Sequence, residues 1–149
     1  MRLQVPKKCQ SDSCSSASAS LASAAARTSA SAGAHYSLGR SLQLSNKLDE
    51  AIKELELAER FKPGAAMTAA LASALRDKGD LGRAESVLRG ALAKSPRSLV
   101  AHCELARVLA AAKKCKDADA ELSSLPADKE TVAETRRAVT AACPAGAKR

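Results

Sequence analysis

The sequence predicts an all-α fold, an α-solenoid of about three helix-turn-helix repeats closed by a C-terminal capping helix. Three observations carry that expectation. Apolar residues follow a 3.6-residue period from about Ala32 onward, and no strand-like alternation interrupts it. The chain is 46% hydrophobic over 149 residues, yet it holds one Tyr, one Phe and no Trp. Its core must therefore rely on Ala and Leu, and Ala-on-Ala contacts favour closely stacked helices over a thick single-layer core. Last, a fixed order of Leu and small residues returns at nearly constant intervals, the mark of a repeat array.

Seven helical stretches follow in order. The first covers about residues 34–45 and ends at Ser45-Asn46-Lys47. The second, about 49–61, stops at Lys62-Pro63-Gly64, and the third, about 66–77, at Lys78-Gly79-Asp80. The fourth, about 81–93, runs into Ser95-Pro96, and the fifth, about 99–112, into Lys113-Lys114. The sixth covers about 115–124 and meets Leu125-Pro126, and the seventh about 128–142. Gly, Pro, Asn and Asp at these points are turn formers. The links are short, so consecutive helices should be antiparallel neighbours.

The repeat shows in the Leu and Ala positions. Leu38-Gly39, Leu42, Ala51, Leu55, Ala58 and Pro63 recur as Leu71-Ala72, Leu75, Ala84, Leu88, Ala91 and Pro96. A third copy reads Leu105-Ala106, Leu109, Ala118, Leu122 and Leu125. The first Leu precedes the small residue of the second helix by 13 positions in each copy, and the copies are offset by 33 and 34. Gly39, Ala72 and Ala106 are small where a first helix meets its neighbour, and Ala51, Ala84 and Ala118 where the second packs back. Leu38, Leu55, Leu71, Leu88, Leu105 and Leu122 should fill the space between, each contributing ~1.5–3 kcal/mol when fully buried.

This order resembles the tetratricopeptide repeat family, whose pattern is W-x2-L-G-x2-Y, then A-x3-F, then A and P. His35, Leu42 and Leu55 stand where that family usually has aromatics, and the third copy departs further, with Leu125 for the second Ala and an early stop at Pro126. The resemblance covers about residues 32–126. The expected organisation is a Ser/Ala-rich low-complexity leader over 1–31, a repeat domain over 32–143 and a basic tail over 144–149. Within the domain, the repeats are 32–64, 65–98 and 99–127, with a cap over 128–143. The leader holds nine Ser and seven Ala in residues 11–31; linker, transit-like leader and worn half-repeat all suit that composition.

The formal charge of +8 is dispersed. Residues 1–31 carry +3, residues 32–143 hold 18 basic against 15 acidic side chains, and Lys148 and Arg149 add +2. With almost no aromatic to stack on a base, specific nucleic-acid binding is not expected. No run reaches the ~18–20 apolar residues of a membrane span. No apolar segment follows the basic start, so no standard secretory signal is visible. A cytoplasmic location is favoured, with periplasm or an organelle the alternative if the N-terminus is an atypical or incomplete leader.

The residues offer little chemistry. Cys9, Cys14, Cys103, Cys115 and Cys143 form no C-x-x-C pair, and His102 and Cys103 point about 100° apart on a helix. No metal site, cofactor or catalytic constellation is expected, and His35, His102 and Cys103 read as packing residues. Cys115 opens a second helix and Cys143 ends the closing one, so the two are a candidate disulfide that would staple the cap; outside an oxidising compartment both would stay thiols.

What the resemblance implies is binding. The groove lined by the first helices would take an extended or helical segment of another protein. By helical phase its lining is Tyr36, Arg40, Gln43, Ala69, Ser73, Arg76, Cys103, Arg107 and Ala110. The Lys/Asn/Arg carboxylate clamp of the chaperone-tail-binding subclass is not reproduced, since Tyr36, Arg40, Ala70, Val100 and Glu104 occupy its sites. Arg40, Arg76 and Arg107 nevertheless suggest an acidic peptide. The competing expectation is a structural fragment or assembly subunit, with those arginines solvating an exposed face. The oligomeric state is not legible.

Overall fold

The computed structural model describes residues 30–144; most of the Ser/Ala-rich leader, including Cys9 and Cys14, and the end of the basic tail lie outside the described residues. Seven helices and no strand occupy that span: α1 (30–44), α2 (Leu48–Phe61), α3 (Ala65–Lys78), α4 (Leu81–Lys94), α5 (Leu99–Ala111), α6 (Cys115–Ser123) and α7 (Glu130–Ala142). α1 is already helical at residue 30, two residues inside the stretch expected to be leader.

The pairs α1–α2, α3–α4 and α5–α6 share one turn. Asn46, Gly79 and Lys113, spaced by 33 and 34, all have positive φ, at 60°, 93° and 62°. In each case the next residue donates its N–H five residues back, from Lys47 to Leu42, Asp80 to Leu75 and Lys114 to Leu109, at 2.8–2.9 Å. This left-handed residue is the ordinary way to end a helix, and Gly or Asn suits it best. Lys113 does not, because its Cβ crowds the following carbonyl. Side-chain caps start two helices: Asp80 accepts from the Arg83 N–H and Ser98 from the Ala101 N–H.

The core is Ala and Leu. Ala51, Ala58, Ala84, Ala118, Leu55, Leu88 and Leu122 are buried on the second helices. Ala72, Ala106, Leu71, Leu75, Leu105 and Leu109 are buried on the first. Gly39 shows why the pattern needs small residues. A Cβ there would lie 2.6 Å from Leu55 Cγ and 3.2 Å from the Ala51 carbonyl, so α1 and α2 approach only because it is absent.

Leu38 breaks the expected pattern. It is 49% exposed, whereas its counterparts Leu71 and Leu105 are 4% and 1% exposed. A helix pair precedes α3 and α5, while among the described residues none precedes α1.

Two His–Glu clasps hold pairs together at matching positions. His35 Nδ1 meets Glu54 Oε2 at 2.7 Å, and its ring stacks on Phe61 at 5.4 Å between centroids. His102 Nδ1 meets Glu121 Oε2 at 2.8 Å, and its Nε2 lies 2.9 Å from the Pro96 carbonyl oxygen. Both histidines thus pack a pair, and among the described residues neither joins a group that could hold a metal ion.

α7 closes the other end. It buries Val132, Thr135 and Val139 against the stack, next to α5 and α6. Its end is joined to the start of α6 by a disulfide between Cys115 and Cys143, with 5.8 Å between Cα atoms. Lys113 Nζ also donates to the Ala142 carbonyl at 3.3 Å.

Candidate functional site

The first helices lie side by side, α3 on α5 and α5 on α7, and polar side chains link their common face. Arg40 Nη1 donates to Gln43 Oε1 at 2.5 Å. Gln43 Nε2 donates to Ser73 Oγ at 3.1 Å and Asp77 Oδ2 at 2.5 Å, latching α1 to α3. Arg76 Nη2 holds Ser73 and Asp77, both at 3.2 Å, while its Nη1 crosses to Glu104 Oε2 on α5 at 2.8 Å. Arg107 Nη1 takes the other Glu104 oxygen at 3.0 Å. Its Nε is buried and has no acceptor among the described residues.

The ladder alters the electrostatics expected for this face. Arg76 and Arg107 share the Glu104 carboxylate, and Asp77 stands beside Arg76, so three guanidiniums meet two carboxylates and leave +1 locally. Arg40 bonds the neutral Gln43, and among the described residues no carboxylate pairs with it.

Of the nine residues expected on this face, Tyr36, Arg40, Gln43, Arg76 and Arg107 are partly exposed. Ala69, Ser73, Cys103 and Ala110 are buried, because neighbouring first helices close over them. Cys103 is a free thiol there. Two residues outside the expected set stand out on first helices: Leu44, one turn beyond Arg40, is 84% exposed, and Val100 is 52% exposed. Their bulk beside groove positions was the available signal.

A cleft of about 290 Å³ opens between α3, α5 and α7. Ala110, Ala111, Ala138, Val139 and Ala142 give it apolar walls, and Arg76 and Arg107 line it with charge. Arg107 also lines a second hollow of about 140 Å³ with Val100, Glu104, Glu134 and Thr135. Such a surface can hold a small apolar side chain and offer guanidinium donors beside it. It has no nucleophile–base pair. Among the described residues no three His, Cys, Asp or Glu side chains could hold a metal ion, and no helix is long and apolar enough to cross a membrane.

Away from the cleft, Glu85 ties α4 to the α5–α6 turn. A hydrogen bond from Lys114 Nζ at 2.9 Å, then one from Arg89, hold its carboxyl below the ordinary range. The exposed Asp49 is held low in the same way by Lys78.

Residues 75–141 match the family model described as the tetratricopeptide repeat. No curated protein matches the chain. Among solved structures it is similar to the TPR domain of Arabidopsis OM64, with a TM-score of 0.64 at 13% identity, over 76% of this chain and 98% of that one.

Proposed function

We propose that this chain, a protein–protein interaction module of the tetratricopeptide repeat family, holds a partner segment across the concave groove of its first helices, anchored in the cleft between α3, α5 and α7. The carrying observation is that cleft: apolar walls of Ala and Val beside the two guanidiniums of Arg76 and Arg107. A partner residue with a short apolar side chain fits about 290 Å³, and a carboxylate or carbonyl next to it would find arginine donors. Leu44 and Val100 extend the apolar surface. The acidic preference is mild, since Asp77 and Glu104 already neutralise much of the arginine charge.

A peptide display selection on the full chain tests this, followed by binding of the selected peptide to variants. Changing Arg40, Arg76 and Arg107 together to Gln should weaken binding and flatten its salt dependence. Each exposed pair contributes only ~0.2–1 kcal/mol, so no single arginine should dominate. Arg60, Arg89 and Arg97 are the same-charge controls. If their triple variant weakens binding equally, net charge rather than the groove is responsible.

One observation favours a second reading, in which the chain is an assembly subunit. Leu38 is exposed on α1, where its counterparts on α3 and α5 are covered. Self-association that Leu38→Asp abolishes, with no peptide selected by the groove, would support that reading.

A further inference from the structure

We propose that the Cys115–Cys143 bridge is a thiol–disulfide exchange site, reduced by a dithiol protein with an acidic surface, and that its opening releases the end of α7. Its surroundings set it apart from a buried structural staple. The bridge lines an open cavity of about 860 Å³ with Lys113, Lys114, Lys116 and Asp117. With Lys114 paired to Glu85, Lys113 and Lys116 against Asp117 still leave the approach electropositive. Neither cysteine is buried, so a thiolate can reach it.

The two sulfurs differ as leaving groups. Cys115 is the first residue of α6, whose N-terminus has no side-chain cap. Its unpaired first-turn N–H groups and the neighbouring ammonium groups favour a thiolate there. Cys143 follows the last turn of α7, beside carbonyls that disfavour one. The incoming thiolate therefore attacks Cys143 Sγ, forms a mixed disulfide and expels the Cys115 thiolate, the better leaving group. The second thiol of the dithiol then attacks its partner sulfur and releases Cys143. One dithiol becomes a disulfide, one disulfide becomes two thiols, and the two protons pass to the cysteines.

The consequence reaches the cleft. Ala138, Val139 and Ala142, which wall it, belong to the last turns of α7. The bridge and the Lys113–Ala142 hydrogen bond tie that end to the α6 start. Once the bridge opens, the last turn frays and the wall loosens. This site does not depend on what the cleft binds.

The test uses the full chain with Cys9→Ser and Cys14→Ser, so that one bridge is followed. A monothiol form of a dithiol oxidoreductase should trap its mixed disulfide on Cys143; trapping on Cys115 would overturn the order of attack. Lys113→Gln with Lys116→Gln should slow reduction by that oxidoreductase about tenfold, as should added salt. An unchanged rate in both would overturn the electrostatic argument. On reduction, amides of residues 138–142 should exchange faster while those of α3 and α4 do not change. Unchanged protection at 138–142 would leave the bridge with no conformational role and sink the proposal.

Discussion

At the C-terminal end of the stack, α7 covers the last pair with Val132, Thr135 and Val139, and a disulfide and a lysine fasten its end. At the other end, Leu38 holds the position of the buried Leu71 and Leu105 but stays half in water. The contrast teaches that no pair in this array completes its own core. The same leucine is core or surface according to whether a neighbour stands before it, as expected of stacked repeats.

The comparison can be broken most directly at that shared position. Leu105→Ala should cost about 2–5 kcal/mol, the usual range for an emptied core site. Leu38→Ala should cost well under about 1 kcal/mol. Chemical denaturation of both variants measures the gap, and comparable losses would mean that Leu38 is covered after all.

Smaller effects sharpen the picture inside the stack. Ala84→Leu forces a large side chain between α4 and its neighbours and should destabilise by about 1–3 kcal/mol. Ala110, expected on the sequence to line the groove, is buried but borders the cleft. Ala110→Leu should therefore cost less than Ala84→Leu yet abolish binding of a groove peptide. Thermal melts and titration separate the two effects; a larger melting loss for Ala110→Leu would reverse this ordering.

The smallest expected effect is pH-dependent. The Lys114 and Arg89 contacts depress the folded-state pKa of Glu85. Their stabilisation is thus complete above the unfolded carboxyl value, near 4.5, and disappears as pH falls through the folded value. Glu85→Gln should cost ~0.2–1 kcal/mol near neutrality, where the pair is partly exposed. Wild type and variant should converge in strong acid. A gap that persists at low pH would assign the effect to packing.

These contrasts also mark how far the sequence could be read. The pair packing was legible because it depends on local size rules: Ala51 must be small against Leu38-Gly39's helix, and the 13-residue interval follows from one turn geometry used three times. Asn46 and Gly79 announced that turn by residue type; a link was expected at Lys113-Lys114 too, but a lysine gives no sign of the left-handed conformation found there. The groove was legible only in outline. Whether Ala69, Ser73, Cys103 and Ala110 reach the surface depends on how closely successive first helices lie, a relation between repeats that no single repeat encodes. The pairing of Arg76 with Glu104, 28 residues away on the next first helix, was hidden for the same reason, whereas Arg107 and Glu104, three apart on one helix, stood at a spacing the sequence shows.

The order in which helices touch has a kinetic consequence. From α2 to α7, each helix packs only on the next one or two along the chain: α2 on α3, α3 on α4 and α5, α5 on α6 and α7. Among these helices no distant segments must find each other, so little loop-closure entropy opposes the first contacts. Folding should therefore be fast, on the order of microseconds to milliseconds, with a transition state able to form on any adjacent pair. The slow event should be oxidation: joining Cys115 to Cys143, 28 residues apart, takes seconds to hours depending on the oxidant. The helices are then already in place when the bond closes, and the bridge records a fold it did not direct.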